Sequence, residues 1–356
     1  MKSLGVVFAS SLAFILVVGV GCGGGATSYS LLATSDHFTQ TNSSFSNKLD
    51  IMFVINDEPS MSSHQAKLVT SFATFMNLFQ AKGFDFKISV VSPSGYLADP
   101  TLNGYDPVNV DAADFNDYNG TVYSGMYVIT PTDVNLFSNF AINAKPAKNT
   151  AGQDGRAFSG FRQALQSTRP INTGFLRSDS FLAVVLVSNQ EDFSGNGRCK
   201  GCNNSGRYNA PTLDPVSTYV DFLNTATGST GASARYNVSA MTQSAAPCQG
   251  GTNMTRIMEL TTLTNGVLGD ICQADFGASM AQMSDKIAML SSQFYLKNTP
   301  VVNSISVRVN GMQVVNDAVN GWTYSSTANS IMFHGSAIPS EGDSIDVVFD
   351  PVTLSF

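Results

Sequence analysis

Two short runs hold most of the oxygen-rich side chains able to act together. Asn56-Asp57-Glu58-Pro59-Ser60-Met61-Ser62 follows the apolar run Ile51–Ile55, and Ser188-Asn189-Gln190-Glu191-Asp192 follows Phe181–Val187. Carboxylate, amide and hydroxyl oxygens brought to one place suit Mg²⁺ or Ca²⁺, which take hard oxygen ligands. Asn, Asp and Ser also begin turns and helices, so residue type alone does not separate a cation site from a hydrogen-bonded loop.

Nucleophilic catalysis finds less support. The three histidines are His37, His64 and His334. A hydrolase would have to use Ser60 or Ser62 with His64, but no Gly-x-Ser-x-Gly elbow is present. His64 is expected on the exposed first turn of its helix, and His334-Gly335-Ser336 in a turn between strands. No Gly-x-Gly-x-x-Gly follows a strand and no Walker motif occurs. The chain is therefore not expected to be an enzyme.

The elements that must position the two runs can be read from periodicity. Ile51–Ile55, Phe86–Val91 and Phe181–Val187 are continuous apolar runs, as expected for strands buried on both faces. Between the first two, Leu68, Phe72, Phe75 and Phe79 recur at helical spacing, and Gly83 supplies a stop. Strand, helix and strand in that order make a βαβ unit. Further on, the pattern predicts a strand near Val122–Ile129 and a helix around Phe158, Phe161 and Leu165. Asp214 and Pro215 are expected as N-cap and first residue of the next helix. Strands at Tyr236–Met241 and Val267–Cys272 and helices at Thr255–Leu263 and Phe276–Leu290 complete the alternation. This order implies an α/β fold with a doubly wound, mostly parallel sheet, which binds ligands at the carboxyl ends of its strands. After Tyr295 the period changes to two, Asn310-Gly311 is a type I′ hairpin signal, and a small C-terminal antiparallel β domain is expected.

Composition narrows the class. Only 13% of the 356 residues are charged and the formal net charge is −7, so a basic face for nucleic acid is not expected. Met1-Lys2-Ser3 is followed by an uncharged apolar run from Leu4 to Val20 and then by Gly21-Cys22-Gly23-Gly24-Gly25, the layout of a signal peptide. Gly19-Val20-Gly21-Cys22 resembles the lipobox of bacterial lipoproteins, although Gly19 stands where Leu is usual. That resemblance implies cleavage before Cys22 and acylation of its thiol, hence a membrane anchor. Four further cysteines, Cys199, Cys202, Cys248 and Cys272, fit an oxidising compartment and two disulfides. Three pairings are open, of which Cys199–Cys202 with Cys248–Cys272 is favoured.

Asp50–Met61, the helix after it and Phe181–Asp192 resemble a von Willebrand factor A domain. That family is a doubly wound α/β domain that often holds Mg²⁺ at a metal-ion-dependent adhesion site. Its first strand normally ends in Asp-x-Ser-x-Ser and its central strand in Asp. Carried over by position, Asn56 stands at the first Asp, Glu58 and Ser60 at the two Ser, and Asn189 at the second Asp; Thr150 is a weak candidate for the loop Thr. Gly174-Phe175-Leu176-Arg177, Glu191-Asp192 and Gly266–Phe276 resemble bacterial envelope lipoproteins carrying such a domain. Two Asn for two Asp removes formal charge while keeping oxygen ligands. The resemblance thus implies a degenerate site, either a weak reshaped cation site or one whose Asn and Ser groups hold the loops together.

The expected organisation is a signal peptide (1–21), a lipid-anchored flexible tether (22–47), an A-like domain (48–297) and a small β domain (298–356). The expected role is binding of a protein or cell-surface ligand, in adhesion or complex assembly, at the cell envelope and on the outer membrane. The alternative is a structural envelope protein that contacts partners through its C-terminal β domain.

Overall fold

The computed structural model describes residues 47–93, 124–145, 155–166, 174–195, 213–229, 233–243 and 254–352. In chain order the elements of its first part are β1 (Lys48–Ile55), α1 (Ser62–Ala81), β2 (Asp85–Val91), α2 (Leu136–Asn143), α3 (Ala157–Gln166), β3 (Phe181–Val187), α4 (Val216–Thr227), β4 (Tyr236–Thr242), α5 (Thr255–Leu263), β5 (Leu268–Asp270) and α6 (Gly277–Ser291). The five strands form one parallel sheet in the order β2-β1-β3-β4-β5. From β1 the chain winds outward to β2 and returns to β3 on the other side. The winding therefore reverses between β1 and β3, the place where an open α/β sheet leaves a crevice at its carboxyl edge.

Strand periodicity divides the core in two. Leu49, Ile51, Phe53 and Ile55 of β1 face α1, α2 and α6, whereas Met52 and Val54 face α3, α4 and α5. Phe residues fill the first layer: Phe53 meets Phe140 edge-on at 5.0 Å, and Phe140 stacks on Phe72. Burying each such side chain stabilises the fold by roughly 1.5–3 kcal/mol.

Two elements differ from the sequence expectation. Among the described residues of 122–129 no strand forms; the segment touches the sheet edge only at an Ile88–Ile129 antiparallel bridge. Its Ser124-Gly125 pair favours a turn over a ladder, and the Ser124 and Asn143 side chains bond its backbone instead. Pro215, not Asp214, is the N-cap of α4, with ψ of 145°. The Asp214 carboxylate accepts a hydrogen bond from the Tyr219 hydroxyl at 3.3 Å.

The C-terminal strands are β6 (Phe294–Tyr295), β7 (Ser306–Val309), β8 (Met312–Val314), β9 (Trp322–Ser325), β10 (Ser330–Phe333) and β11 (Ile345–Val348). They form two antiparallel three-stranded sheets, β6-β10-β9 and β11-β7-β8. The inner residues Val307, Trp322, Ile331, Phe333, Ile345 and Val347 belong to the same apolar cluster as Phe79 of α1 and Ile287 of α6. Trp322 is buried, and its indole N–H donates to the Val314 carbonyl at 3.0 Å. Asn310 and Gly311 both have positive φ, 51° and 76°, as a type I′ turn requires. Gly311→Ala is expected to cost about 1 kcal/mol, read as a lower urea midpoint at unchanged slope.

Candidate functional site

The two oxygen-rich runs meet at the carboxyl edge, where the winding reverses. The β1–β3 ladder continues one residue past the strands, with the Asn56 N–H donating to the Val187 carbonyl at 2.9 Å. This sets the Asn56 side chain beside the loop after β3. Its Nδ2 donates to Ser188 Oγ and to Asn189 Oδ1, both at 3.3 Å, while its Oδ1 accepts the Glu58 N–H at 3.0 Å. Asn189 Nδ2 donates to Ser60 Oγ at 3.0 Å, and Gln190 Nε2 donates to Glu58 Oε2 at 2.6 Å. From α1, Gln65 Nε2 donates to the Asn56 carbonyl at 3.0 Å. Asn56, Glu58, Ser60 and Asn189 are thus brought together.

The electrostatics follow from burial. Asn56 and Glu58 are almost wholly buried, whereas Ser60 is exposed. Burial pushes the Glu58 carboxyl up from its ordinary range, and the Gln190 amide pulls it partly back. Glu58 Oε1 has no hydrogen-bond partner and is out of contact with solvent.

Asn56 Oδ1 is committed to the Glu58 N–H, so its amide hydrogens point toward the neighbouring loop. Asn189 Oδ1 is in turn occupied by those hydrogens, and its own amide hydrogens by Ser60. A cation would need oxygens where these N–H groups lie. No group of three or more His, Cys, Asp or Glu suited to a metal occurs among the described residues. In this arrangement the amides of Asn56 and Asn189 satisfy one another, and Glu58 Oε1 is left without a hydrogen-bond partner.

Glu191 and Asp192 turn away from this rim into the protein. The Asp192 carboxylate accepts the Phe158 N–H at the start of α3 at 2.9 Å, and the N–H and hydroxyl of Ser194 at 3.0 and 2.8 Å. Glu191 accepts the Arg256 N–H in the first turn of α5 at 3.0 Å. Two successive carboxylates therefore cap two helix N-termini, where the helix dipole favours negative charge. The Arg256 guanidinium lies 3.3 Å from Asp192 Oδ1 and donates to the carbonyls of Ser194 and Asp214. Sequence reasoning missed Arg256, although a basic residue in the first turn of a helix opposes the dipole and so signals a buried acid nearby.

Burial raises Glu191 to about 7, above its ordinary 4.5. Between these values the unfolded chain has released the proton and the folded one has not. Stability is therefore full below the lower value and falls as pH rises through about 7. The expected loss between pH 4 and pH 9 is about 3 kcal/mol. Burial also raises Glu58 and Asp192, and both act in the same sense. Urea unfolding across that range should show the decline, and Glu191→Gln should flatten it; an equally steep slope in the variant would exclude Glu191 as its source.

His64 is buried, contrary to the expectation that it lies exposed. The helix turn that carries it is covered by the chain around Ile271, far away in the sequence. Burial, then the nearby Lys67, lower its pKa. Its ring nitrogens bond neither serine: Ser62 Oγ donates to the Pro59 carbonyl, and Ser60 Oγ accepts from Asn189. His334 Nε2 pairs with Thr323 Oγ1 at 2.7 Å in the C-terminal sheets. Cys272 is disulfide-bonded. Cys22, Cys199, Cys202, Cys248, Thr150 and His37 lie outside the described residues, and so does the disulfide pairing.

No family model and no curated protein matches the chain. Among solved structures it is similar to the pilus adhesin SpaC of Lactobacillus rhamnosus GG in its open conformation, at 14% identity and a TM-score of 0.41, over 85% of this chain and 38% of that one. It is similar to proximal thread matrix protein 1 of the mussel byssus, at 11% identity and a TM-score of 0.39, over 72% of this chain and 51% of that one. A second structure of the mussel protein, with its MIDAS motif occupied by zinc, aligns at 9% identity and a TM-score of 0.38, over 72% of this chain and 50% of that one. The chain thus spans about half or less of the length of the structures it is similar to.

Proposed function

We propose that this chain is an exported, lipid-anchored envelope protein that binds a protein or cell-surface partner through the carboxyl-edge rim of its sheet, in adhesion or complex assembly. The observation that carries the reading is the joining of two loops, 132 residues apart between Asn56 and Ser188, by a polar network at the reversal of the sheet. Such a crevice is the default ligand position of an open α/β sheet. The A-type resemblance supports binding over catalysis. The address rests on Cys22 and the apolar run before it.

Partner recognition at this rim is direct, through Ser60, Asn189 and Gln190, without a bridging cation. Asn56, Ser60 and Asn189 changed together to alanine should abolish capture of the partner from envelope extracts, while far-UV circular dichroism stays native. Undiminished capture by the triple variant would remove the rim from the account. Capture by the unaltered protein should be insensitive to EDTA; loss on chelation would show that a cation takes part.

A further inference from the structure

Strand β1 joins the start of the folded chain to the rim. Asn47, directly before it, is buried; its N–H donates to Glu341 Oε2 at 2.5 Å and its Nδ2 to the Pro339 carbonyl at 3.3 Å. β1 then runs about 26 Å, at roughly 3.3 Å per residue, and ends at Ile55, one residue before Asn56. Along that length it is flanked on both sides by parallel strands, β2 over Lys48–Val54 and β3 over Leu49–Ile55.

A side-chain lock grips its first half. The buried Asp50 carboxylate accepts the Arg177 N–H at 2.7 Å, Arg177 Nε at 2.9 Å and the Ser180 hydroxyl at 2.5 Å. The same guanidinium reaches the Leu49 carbonyl and both the carboxylate and carbonyl of Asp85, so one Arg fastens β1 to β2 and to the segment that enters β3.

We propose that β1 is a longitudinal shear clamp, which transmits load between the chain upstream of Asn47 and a partner held at the rim. This rests on the reading of an anchored protein with a binding rim. Force that enters at the start of β1 and leaves at the carboxyl end of β3 strains the β1–β3 ladder and the Asp50 lock at once, because every bond resists the same sliding motion. Force applied across the strand at one end opens the ladders one bond after another. The Asn47 contacts to Pro339 and Glu341 lie at the point of entry and release first.

The test is single-molecule force spectroscopy on the full chain, which needs no partner. One handle is attached upstream of residue 46 and the other at half-buried Gln190, on the rim just past the end of β3, or at exposed Ser178, at the opposite edge. The Gln190 geometry is expected to rupture at no less than about twice the force of the Ser178 geometry, because forced unfolding is governed by the barrier along the pulling direction. Arg177→Ala should lower the Gln190 force toward the Ser178 value. Glu341→Ala should remove a small early event and leave the main rupture unchanged. If Arg177→Ala does not fold, the two geometries on the native chain still decide. Equal forces in both geometries would overturn the clamp and leave the binding reading intact; loss of partner binding in the rim variants would do the reverse.

Discussion

Replacing Arg256 by alanine is expected to lower the unfolding free energy by about 3–5 kcal/mol, the cost of leaving a buried carboxylate without its counter-charge. Asp192 is fully buried, and Arg256 is the cation paired with it. The guanidinium also donates to the carbonyls of Asp214 and Ser194 and lies over the Phe158 ring at 5.6 Å. Those carbonyls lose their donors in the same step. Urea denaturation measures the loss as a shifted midpoint. The control is Asp192→Asn in the Arg256→Ala background. A neutral amide needs no counter-charge and can still accept the Phe158 N–H, so part of the loss should return. A loss below about 1 kcal/mol, in the range of an exposed ion pair, would mean that Asp192 is protonated or hydrated rather than held by Arg256.

Asp192 and Arg256 show where reading along a chain stops. Phe181–Val187 is apolar at every position, and only a strand covered on both faces accommodates that; its bounds in the structure are the same. Asn56, Ser60 and Asn189 were legible as one site because parallel strands of equal register end together, so the residue after each strand must share an edge. Their hydrogen-bond directions were not legible. Whether Asn56 offers its oxygen or its N–H₂ to the neighbouring loop is decided by the Glu58 N–H, which takes the oxygen. Glu191 and Asp192 look equally available for a site, yet the starts of α3 and α5 claim them, and Arg256 lies 64 residues from Asp192. His64 was misplaced for the same reason, because the chain that buries it arrives much later. Contacts within one strand or helix can be read from period; contacts that need a third element cannot.

The substitution pair Asn56→Asp and Asn189→Asp is expected to create a divalent-cation site where the native residues close on themselves. Each change removes amide hydrogens from the centre of the rim and adds a carboxylate beside Glu58, so the cluster gains the hard, anionic oxygens that Mg²⁺ requires. Without metal, three carboxylates then share a mostly buried space, and the apo variant should be destabilised by about 2–4 kcal/mol through desolvation and repulsion. Adding Mg²⁺ to 100 times its dissociation constant should return about 2.7 kcal/mol. Thermal unfolding of the native and doubly substituted proteins, each with EDTA or with Mg²⁺, reads both effects. The native melting temperature should be the same with and without the cation, because its amides offer no such oxygens. A native protein stabilised by Mg²⁺ as strongly as the variant would show that the rim reopens around a metal despite Asn56 and Asn189. A variant destabilised but not rescued would show that Glu58 cannot reach the ion. The separate single substitutions then tell which Asn keeps the rim closed to a cation beside Glu58 Oε1, which has no hydrogen-bond partner in the native chain.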